Sequence, residues 1–416
     1  MTSHSAASDL YPTVQQEVER LAALAEVRSA FAWFRAHESR IAEYQVEAAR
    51  IAAPPFGEAA RSAWLADRFR EIGLSDVEVD KVGNVFAIHP GYGSRYVALS
   101  AHIDTVFPAT TPLNIRQQGS KLFGPGVSDN GAGIAAMLGI AHALQSARIP
   151  HALPFVFIGN VGEEGEGDLR GMRHVFATPR WDKAIAYSVV VDGAGSDTIV
   201  AEALGSRRFE VIVRGPGGHS WSDFGSPNPI IVLARTIDCF SETPVPTSPK
   251  TTFNVGVIRG GTSVNSIPES ASMRVDLRST SMSEIDRLEG SLRRALERAV
   301  KTENDAVSQN TIRKPQAVQS EVVEIGNRPA GELAADARVF KVIRAVDAHL
   351  GNAAQVQRAS TDANIPLSLG REAIAIGGGG SGGGAHTLQE WFDCNGRDLG
   401  LKRILLTMLT LAGSGE

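Results

Sequence analysis

Short, nearly continuous apolar segments alternate with amphipathic helical segments over the first half of the chain, and the alternation resumes after residue 332. Segments such as YVALSA, LPFVFIGNV and AIAYSVVV are too short for helices and lack the polar alternation of a half-exposed strand. Strands of this kind are typical of parallel sheets whose two faces are both covered by helices. The pattern therefore predicts an α/β fold with a mixed, mostly parallel sheet and helices on both faces.

The character of the chain changes between residues 206 and 327. RRFEVIVRG alternates as a strand, PNPIIVLARTIDCF follows as a helix, and two strands, a long charged helix and a last strand complete the segment. The order β-α-β-β-α-β is the split βαβ pattern of ferredoxin-like domains. We therefore predict one α/β domain formed by residues 1–205 and 328–416, interrupted by an α+β ferredoxin-like domain over residues 206–327.

Composition and charge exclude several classes of function. With 416 residues and a net charge of −5, the chain gives no electrostatic reason to bind nucleic acid or an anionic membrane. No apolar run reaches the ~18 residues that a transmembrane helix needs, and the start MTSHSAASDLYP shows no signal peptide. The two cysteines, Cys239 and Cys394, cannot form a disulfide framework. We therefore expect a cytoplasmic protein.

One histidine stands at the end of a predicted parallel strand. His102 follows YVALSA and is separated from Asp104 by one residue. In extended backbone, residues two apart point to the same side, so the Asp104 carboxylate can orient the His102 imidazole. Open α/β sheets bind ligands beyond the carboxyl ends of their strands, and a metal-bound histidine usually needs such a partner. By itself this short pattern is common by chance.

Acidic residues follow the neighbouring predicted strands or precede the next helix. Asp129 precedes the Gly131–Ala147 helix, Glu163 and Glu164 follow PFVFIGNVG, and Asp192 follows AIAYSVVV. Any one of these acids could cap a helix or be solvated in a loop. Carboxylates crowded at one sheet edge need a cation to offset their repulsion, and a two-metal site suits them. We retain loop solvation for Glu166 and Asp168, further along the same loop.

The glycine run GGGGSGGG at residues 377–384 allows three interpretations. A flexible linker between domains does not fit, because the run lies between the strand REAIAI and a following helix. A dinucleotide site does not fit, because no helix opens within the run and no acidic residue follows at the required distance. The remaining interpretation is a loop whose backbone passes close to a ligand or metal and delivers His386.

The motifs together resemble the dinuclear-metal hydrolase family of peptidase T, carboxypeptidase G, acetylornithine deacetylase, succinyl-diaminopimelate desuccinylase and aminoacylase. The resemblance spans nearly the whole chain and keeps the family's order. It is carried by IAAPPFGE, SAHIDTV, GPGVSDNGAG, GNVGEEGEGDLRG, VVVDG, GPGGHS, TSVNSIPESASMRVDLRS, STDAN and GGAHTLQEW. The resemblance implies a zinc-exopeptidase-like catalytic domain, with the insert at 206–327 as a lid and dimerisation domain and hence a homodimer.

The resemblance also implies a metal site. Asp129 would bridge two divalent metal ions, His102 and Asp192 would complete one site, and Glu164 and His386 would complete the other. Carboxylate and imidazole ligands without thiolate suit Zn, which we expect, with Mn or Co as alternatives. Glu163 would be the general base that takes a proton from water and later protonates the leaving amine.

Further roles follow from the resemblance for residues outside the metal site. Asp104 would orient His102, and His219 would reach a neighbouring active site and stabilise the oxyanion. Asn265, Arg278 and Thr361 would hold polar groups of the substrate. Simpler interpretations remain open: His219 as a turn residue, Arg278 in an ion pair with Asp276 or Glu269, and the segment with Thr361 as a helix cap.

The substrate is expected to be a small peptide or an N-acyl amino acid. Aspartate at position 192 resembles the aminopeptidase branch of the family, which favours a tripeptidase-like enzyme that cleaves next to a free amino group. An N-acyl-amino-acid deacylase, a carboxypeptidase, or hydrolysis of another C–N bond such as that of an aromatic amine remain alternatives. A catalytically inactive binding protein of the same fold would lack a ligand or the base, and every one of these residue types is present.

Overall fold

The computed structural model describes residues 12–308 and 317–414. Residues 1–11, 309–316 and 415–416 lie outside the described residues. The segment used to predict the absence of a signal peptide falls partly there, as do the outer ends of the predicted domain ranges. The chain divides into two compact units. The first comprises the chain up to Ala203 and from Gly331 onward, and the second is Leu204–Ala330.

The strands and helices of the described residues are numbered here in chain order. The strands are β1 (Ser75–Val79), β2 (Val85–His89), β3 (Tyr96–His102), β4 (Arg116–Gln118), β5 (Lys121–Phe123), β6 (Phe155–Asn160), β7 (Ile185–Val191), β8 (Thr198–Ala203), β9 (Gly205–Arg214), β10 (Gly218–His219), β11 (Thr251–Gly260), β12 (Ser266–Ile267), β13 (Ser270–Ser279), β14 (Gln319–Arg328), β15 (Gly331–Glu332), β16 (Gln355–Ala359), β17 (Glu372–Ile376), β18 (Ser381–Gly383) and β19 (Trp391–Asp393). The helices are α1 (Val14–Ala23), α2 (Ala25–Ala36), α3 (Glu38–Ala49), α4 (Ala59–Ile72), α5 (Gly131–Ala147), α6 (Arg170–Ala177), α7 (Pro179–Ala184), α8 (Pro229–Ser241), α9 (Met282–Ser308), α10 (Arg338–Leu350), α11 (Asn364–Ser368) and α12 (Arg397–Ala412).

The first unit is built on a mixed sheet with the strand order β1-β2-β6-β3-β7-β17-β8-β15, and β16 also pairs with β8. Its centre is parallel, because β3 pairs in parallel with both β6 and β7, and β17 pairs in parallel with β7. The residues of β6 are all buried, as are those of β3 after its first residue. The predicted fold class is confirmed. The carboxyl ends of these four central strands meet at one edge of the sheet.

A second, smaller sheet in this unit has the order β18-β19-β5-β4 and was not predicted from the sequence. Its β18 lies inside the glycine run. The run threads through close backbone contacts, since a Cβ on Gly377 would meet the carbonyl of Ala194 at 2.4 Å and one on Gly379 would meet that of Arg397 at 2.5 Å. Glycine is therefore required by packing, and the run brings the following segment back toward the end of the central sheet.

In the N-terminal segment, apolar residues spaced three and four apart among charged ones predict helix over residues 12–52, and the structure differs in its continuity. It forms three successive helices, α1 to α3, separated at Leu24, which is extended (φ −62°, ψ 139°), and at His37. Each helix buries its own apolar face, for example Phe34 in α2 and Ile41 in α3. Neither break carries glycine or proline, so local sequence does not mark them, and the packing of each helix sets its direction.

The second unit is an α+β domain. Its antiparallel sheet has the order β11-β13-β9-β14, and α8 and α9 pack on one another and on its strands. Numbered within the unit, the strand order is that of a ferredoxin-like fold, as the β-α-β-β-α-β pattern predicts. The apolar core of the unit includes Phe209, Met273 and Leu288, all fully buried. Within the described residues of both units, no helix combines the length and the apolar character needed to cross a membrane.

A buried pair of histidines joins two loops of the first unit. His89 at the end of β2 lies with Nδ1 3.0 Å from Nε2 of His151, whose Nδ1 lies 2.8 Å from the carbonyl oxygen of Leu153. The His151 ring also stacks on Phe155 at 4.2 Å between centroids. Burial, with His151 as a second cause, lowers the pKa of His89 to about 4. Burial also lowers the pKa of His151.

The pair predicts acid sensitivity of folding. An unfolded histidine titrates near pH 6.5, so between about pH 6.5 and pH 4 the unfolded chain binds a proton that folded His89 does not. The free energy of unfolding should therefore fall as the pH falls, by about 2 kcal/mol between pH 7 and pH 5 from His89. Urea unfolding at the two pH values should show this fall reduced in His89→Gln and retained in His349→Gln, which alters an exposed histidine. An equal fall in all three proteins would refute the interpretation.

Candidate metal centre

The carboxyl ends of the central strands place the predicted ligand residues together. His102 is the last residue of β3, Glu164 lies four residues beyond β6, and Asp192 directly follows β7. The backbone N–H of Asp192 donates to the carbonyl of Ile376, the last residue of β17, at 3.0 Å. His102, Asp129 and Glu164 each offer one ligand atom, and these atoms lie within 4.8 Å of one another. The parallel register therefore builds the cluster.

Asp129 lies between two imidazoles, with a different carboxylate oxygen facing each of them. His102 Nε2 is 3.1 Å from Asp129 Oδ1, and His386 Nε2 is 3.1 Å from Asp129 Oδ2. Asp192 Oδ1 is 3.8 Å from His102 Nε2, and Glu164 Oε1 is 3.0 Å from His386 Nε2. One pair of ligand-type side chains therefore lies on each side of the Asp129 carboxylate.

Contacts at Nδ1, the other ring nitrogen of His102, fix the orientation of its ring. His102 Nδ1 lies 3.2 Å from the backbone oxygen of Asp104 and 3.6 Å from Asp104 Oδ1. An N–H at Nδ1 directed at these oxygens leaves the Nε2 lone pair for a cation. The ring is almost fully buried, so this orientation does not compete with solvent.

The carboxylate of Asp104 has a second set of contacts that the sequence does not predict. Its two oxygens accept the backbone N–H groups of Glu163 at 3.0 Å and Glu164 at 2.8 Å. β3 and β6 are parallel neighbours, so the residues after one strand lie beside the residues after the other. Asp104 therefore fixes the backbone of the Glu163–Glu164 pair in addition to facing His102.

The electrostatics of the cluster are those of charged pairs. Burial alone lowers the pKa of His102, but its contacts with the surrounding aspartates outweigh burial and raise that pKa well above its usual value. Burial opposes ionisation of Asp129, yet the contacts of its carboxylate with His102 and His386 hold its pKa well below the usual range. The hydrogen bond to Asp129 is the main cause that raises the pKa of His386 to about 9, with burial opposing it. The Asp129 carboxylate is thus stabilised by positive charge at this position.

Two observations test whether this residue set suits divalent metal ions. Asp129 Oδ1 is buried and makes no hydrogen bond of acceptable geometry within the described residues, so an acceptor is left over that a cation would satisfy. The side chains around it are imidazoles and carboxylates, the ligands that Zn, Mn and Co accept. The residues present fit the group that the sequence predicts.

A cavity of about 430 Å³ opens beside this cluster in the first unit. It is lined by Asp129 and Asp192 on the metal-ligand side, by Asp197, and otherwise mainly by glycine and alanine, including residues of the glycine run. Such a lining presents backbone N–H and C=O groups and few bulky side chains. Chemically, the cavity combines three carboxylates with exposed backbone polar groups.

The residue predicted to stabilise the oxyanion and those predicted to bind substrate form hydrogen bonds or an ion pair with other residues of the protein. In the second unit, His219 is exposed on β10, and its Nδ1 accepts the N–H of Trp221 at 3.2 Å. Asn265 is exposed and accepts a hydrogen bond from Ser263 Oγ at 2.5 Å. Arg278 forms the ion pair with Asp276 that the sequence allowed, with Nε 2.6 Å from Oδ2. In the first unit, the hydroxyl of buried Thr361 accepts the N–H of Ala363 at 3.2 Å.

The sequence did not single out Glu390, which is fully buried beside the metal ligands. Its carboxylate accepts the backbone N–H groups of Gly126, Ser128 and Asp129. Burial raises its pKa to about 7. The residue stands in GGAHTLQEW, but its partners lie more than 260 positions earlier, so only the fold brings them together.

Two further buried polar groups near the cluster were also not predicted. Asn130 donates to the carbonyl of Val191 at 2.9 Å and accepts the N–H of Gly193 at 3.0 Å, which ties the Asp129 segment to the Asp192 segment. Asn160 donates to Asp362 Oδ2 at 2.6 Å, and burial raises the pKa of Asp362 to about 7. The sequence motifs include Asn130, in GPGVSDNGAG, and Asp362, in STDAN, but gave no indication of Asn160 or of these contacts.

Comparison with known proteins places this site in a family. Residues 98–409 match the model of Peptidase family M20/M25/M40. A probable carboxypeptidase of Aspergillus clavatus is 31% identical over 251 residues, which cover 53% of this chain and 54% of the relative. The chain thus spans about half the length of the curated relatives it matches.

Solved structures share the fold. Aminopeptidase PepT of Bacillus cereus superposes with a TM-score of 0.71 at 20% identity and covers 90% of this chain and 99% of its own. The YXEP protein of Bacillus subtilis, described as a dinuclear metal-binding peptidase of the same family, gives a TM-score of 0.64 at 15% identity, with 91% of this chain and 99% of that one covered. Identities this low show the fold alone.

The fold and the site together define an α/β protein with a candidate centre for divalent metal ions at the carboxyl edge of its central sheet. The family match covers most of the chain, and it confirms the resemblance drawn from the motifs. The chain belongs to Peptidase family M20/M25/M40.

Proposed function

We propose that this protein is a dinuclear-metal aminopeptidase, tripeptidase-like, that removes an amino-terminal residue from small peptides. The observation that carries the proposal is the position of Asp129, whose two carboxylate oxygens each lie 3.1 Å from a different imidazole. A bridging carboxylate has this arrangement, with one ligand pair on each side. His102 and Asp192 would hold one ion, and Glu164 and His386 the other.

The protein's own residues account for binding and proton transfer. When bound, the two ions supply Lewis acidity that lowers the pKa of water to about 7 and polarises the scissile carbonyl. Glu163 is proposed to accept the proton of the attacking water at its carboxylate and to return it to the leaving nitrogen. The Asp104 carboxylate accepts the backbone N–H of Glu163 at 3.0 Å and so fixes the backbone from which the Glu163 side chain extends.

The acidic side of the cavity supports cleavage next to a free amino group. Asp192 and Asp197 both line the cavity, whose remaining surface is mainly glycine and alanine. A protonated α-amino group is attracted to these carboxylates, whereas an N-acetyl group carries no charge that they can attract. We therefore expect the free amine of a short peptide to be recognised here.

A matched pair of substrates tests this function. The protein loaded with Zn, Mn or Co is incubated with a free-amine tripeptide and with its N-acetylated counterpart, and products are followed by LC–MS. Cleavage of the free peptide with the acetylated one at least about 100-fold slower is the expected result; a tenfold difference in rate corresponds to about 1.4 kcal/mol. Cleavage of the acetylated peptide alone would contradict the assignment and indicate a deacylase or carboxypeptidase.

A carboxypeptidase or N-acyl-amino-acid deacylase is the second candidate. It is favoured by the relative from Aspergillus clavatus, which is described as a probable carboxypeptidase. The same dimetal chemistry and the same base would serve it, and the two candidates differ only in which end of the substrate the cavity holds. Hydrolysis of another C–N bond, such as that of an aromatic amine, becomes the leading alternative if neither peptide of the pair is cleaved.

The second unit is proposed to act as a lid and dimerisation domain. β11 is an edge strand that exposes Val257 and Ile258, and α8 of the same unit exposes Ile230 and Ile231. An unpaired strand of this kind can pair with the same strand of a second copy across a two-fold axis. This supports a homodimer.

Roles for the lid residues complete the proposal. Because His219 Nδ1 accepts the N–H of Trp221, its Nε2 carries the proton and can donate to an oxyanion. Asn265, Arg278 and Thr361 are proposed to contact polar groups of the substrate. Zn is the proposed metal, with Mn or Co as alternatives, and the free cysteines Cys239 and Cys394 are consistent with a cytoplasmic location.

A further inference from the structure

Glu390 lies one residue before β19 and is fully buried. Its Oε1 accepts the N–H groups of Ser128 and Asp129, both at 2.7 Å, and its Oε2 accepts that of Gly126 at 2.8 Å. Its own carbonyl oxygen accepts the N–H of Gly124 at 2.9 Å. One residue thus receives four backbone hydrogen bonds from residues 124–129, the turn that ends in the Asp129 ligand.

We propose that Glu390 is a positioning residue that fixes the Asp129 carboxylate for metal binding before any metal is present. The inference rests on the proposed function, because it assigns Glu390 to the same metal centre. Glu390 accepts the backbone N–H of Asp129, so it acts on the Asp129 carboxylate through the backbone. Glu390 therefore sets the position of the Asp129 carboxylate between the imidazoles of His102 and His386.

A carboxylate is the side chain that this position requires. Three buried N–H groups converge on it, and each would lose a hydrogen bond if the side chain were apolar. An amide side chain would keep one acceptor oxygen but would direct an NH₂ group at a backbone N–H, so that donor meets donor. When the carboxylate is ionised, these hydrogen bonds are also charge-assisted, which strengthens them relative to neutral ones.

Other residues hold this turn by hydrogen bonds to its carbonyl groups. The amide of Gln45 donates to the carbonyl of Val127, and the N–H of Gly131 donates to the carbonyl of Gly126 at 3.0 Å. Those bonds hold carbonyl groups, whereas Glu390 holds the N–H groups of the same turn. Asn130 then ties the next residue to Val191 and Gly193. Loss of Glu390 would therefore release the turn on the side that carries Asp129.

Hydrogen exchange of the wild-type protein without metal gives the first test. The proposal requires the amides of Gly124, Gly126, Ser128 and Asp129 to be protected in the metal-free protein, since Glu390 already binds these four. Rapid exchange of these amides that slows only when Co²⁺ is added would overturn it. This measurement needs no variant, so it decides the proposal even if substitutions at position 390 prevent folding.

Binding of Co²⁺, followed by its visible absorption, gives the second test. Glu390→Gln should bind Co²⁺ about 10–100-fold more weakly than the wild type, the usual cost of losing a partner that orients a ligand. Glu390→Asp keeps the charge on a shorter side chain and should fall between them. A changed Co²⁺ spectrum and faster exchange of residues 124–131 in Glu390→Gln should accompany the loss of affinity.

Asp80 provides a matched control. Its Oδ1 also accepts three backbone N–H groups, those of Val82, Gly83 and Asn84, each at 2.9 Å, in a turn that carries no proposed ligand. Asp80→Asn should leave the Kd for Co²⁺ within about twofold of the wild type, as should any change that only weakens a turn. A Kd and spectrum in Glu390→Gln equal to those of Asp80→Asn would overturn the proposal. Inactivity of the wild type on peptides would refute the proposed substrate and leave these binding results valid.

Discussion

Glu163→Gln is expected to lower kcat by about 10²–10⁴-fold, the usual contribution of general acid–base catalysis, while the metal content stays unchanged. The substitution keeps the size of a side chain that is buried and follows β6, and removes only its ability to accept a proton from water. The backbone N–H of residue 163 still donates to Asp104, so the loop keeps its anchor. Steady-state kinetics and elemental analysis of the same preparation check both parts.

Glu166→Gln is the control for this result. Glu166 is exposed in the same loop and is assigned no part in the reaction, so kcat should stay within about twofold of the wild type. More than about a tenth of the wild-type activity in Glu163→Gln would show that another group acts as the base. Loss of metal from Glu163→Gln would instead make residue 163 a ligand.

Asp129→Ala is expected to weaken metal binding by more than about 100-fold, beyond the 10–100-fold cost of losing an outer partner of a metal ligand. Both oxygens of this carboxylate face imidazoles at 3.1 Å, so one substitution removes a ligand from both proposed metal sites. Activity should fall below detection at metal concentrations that saturate the wild type. Isothermal titration with Zn²⁺ or Co²⁺, with activity measured in parallel, checks this.

Asp197→Asn is the matched control for Asp129. Asp197 lines the same cavity, but it is proposed to face the substrate amine and not to bind a metal ion. The variant should therefore retain full metal content and change mainly KM for the free-amine peptide. Equal metal loss in the two variants would mean that the acidic cavity as a whole, and not Asp129 in particular, attracts the cation.

Much of the candidate centre could be predicted from sequence because several of its residues lie at or just after the ends of strands. His102, Glu164 and Asp192 each follow an apolar strand, and parallel strands bring their carboxyl ends to one edge. The glycine run pointed to His386 because a run placed between a strand and a helix must pass close to neighbouring backbone. These inferences need only the period of the strands and the direction of the sheet.

The contacts that hold the ligands could not be predicted in the same way. Glu390 meets Asp129 across 261 positions of sequence, and Asp104 meets the backbone of Glu163 across 59 positions. Hydrogen bonds to backbone N–H groups leave no residue-type pattern at the donor, so no motif records them. The breaks between the first three helices escaped prediction for a related reason, since packing and not local sequence sets them.

Two divalent ions are proposed to share the Asp129 carboxylate. Anomalous diffraction at the Zn absorption edge, on crystals of the zinc-loaded wild type, would locate these ions. We expect two anomalous peaks, one beside His102 and Asp192 and the other beside Glu164 and His386, with Asp129 between them. A single peak, or peaks away from Asp129, would contradict the dinuclear centre and the mechanism built on it.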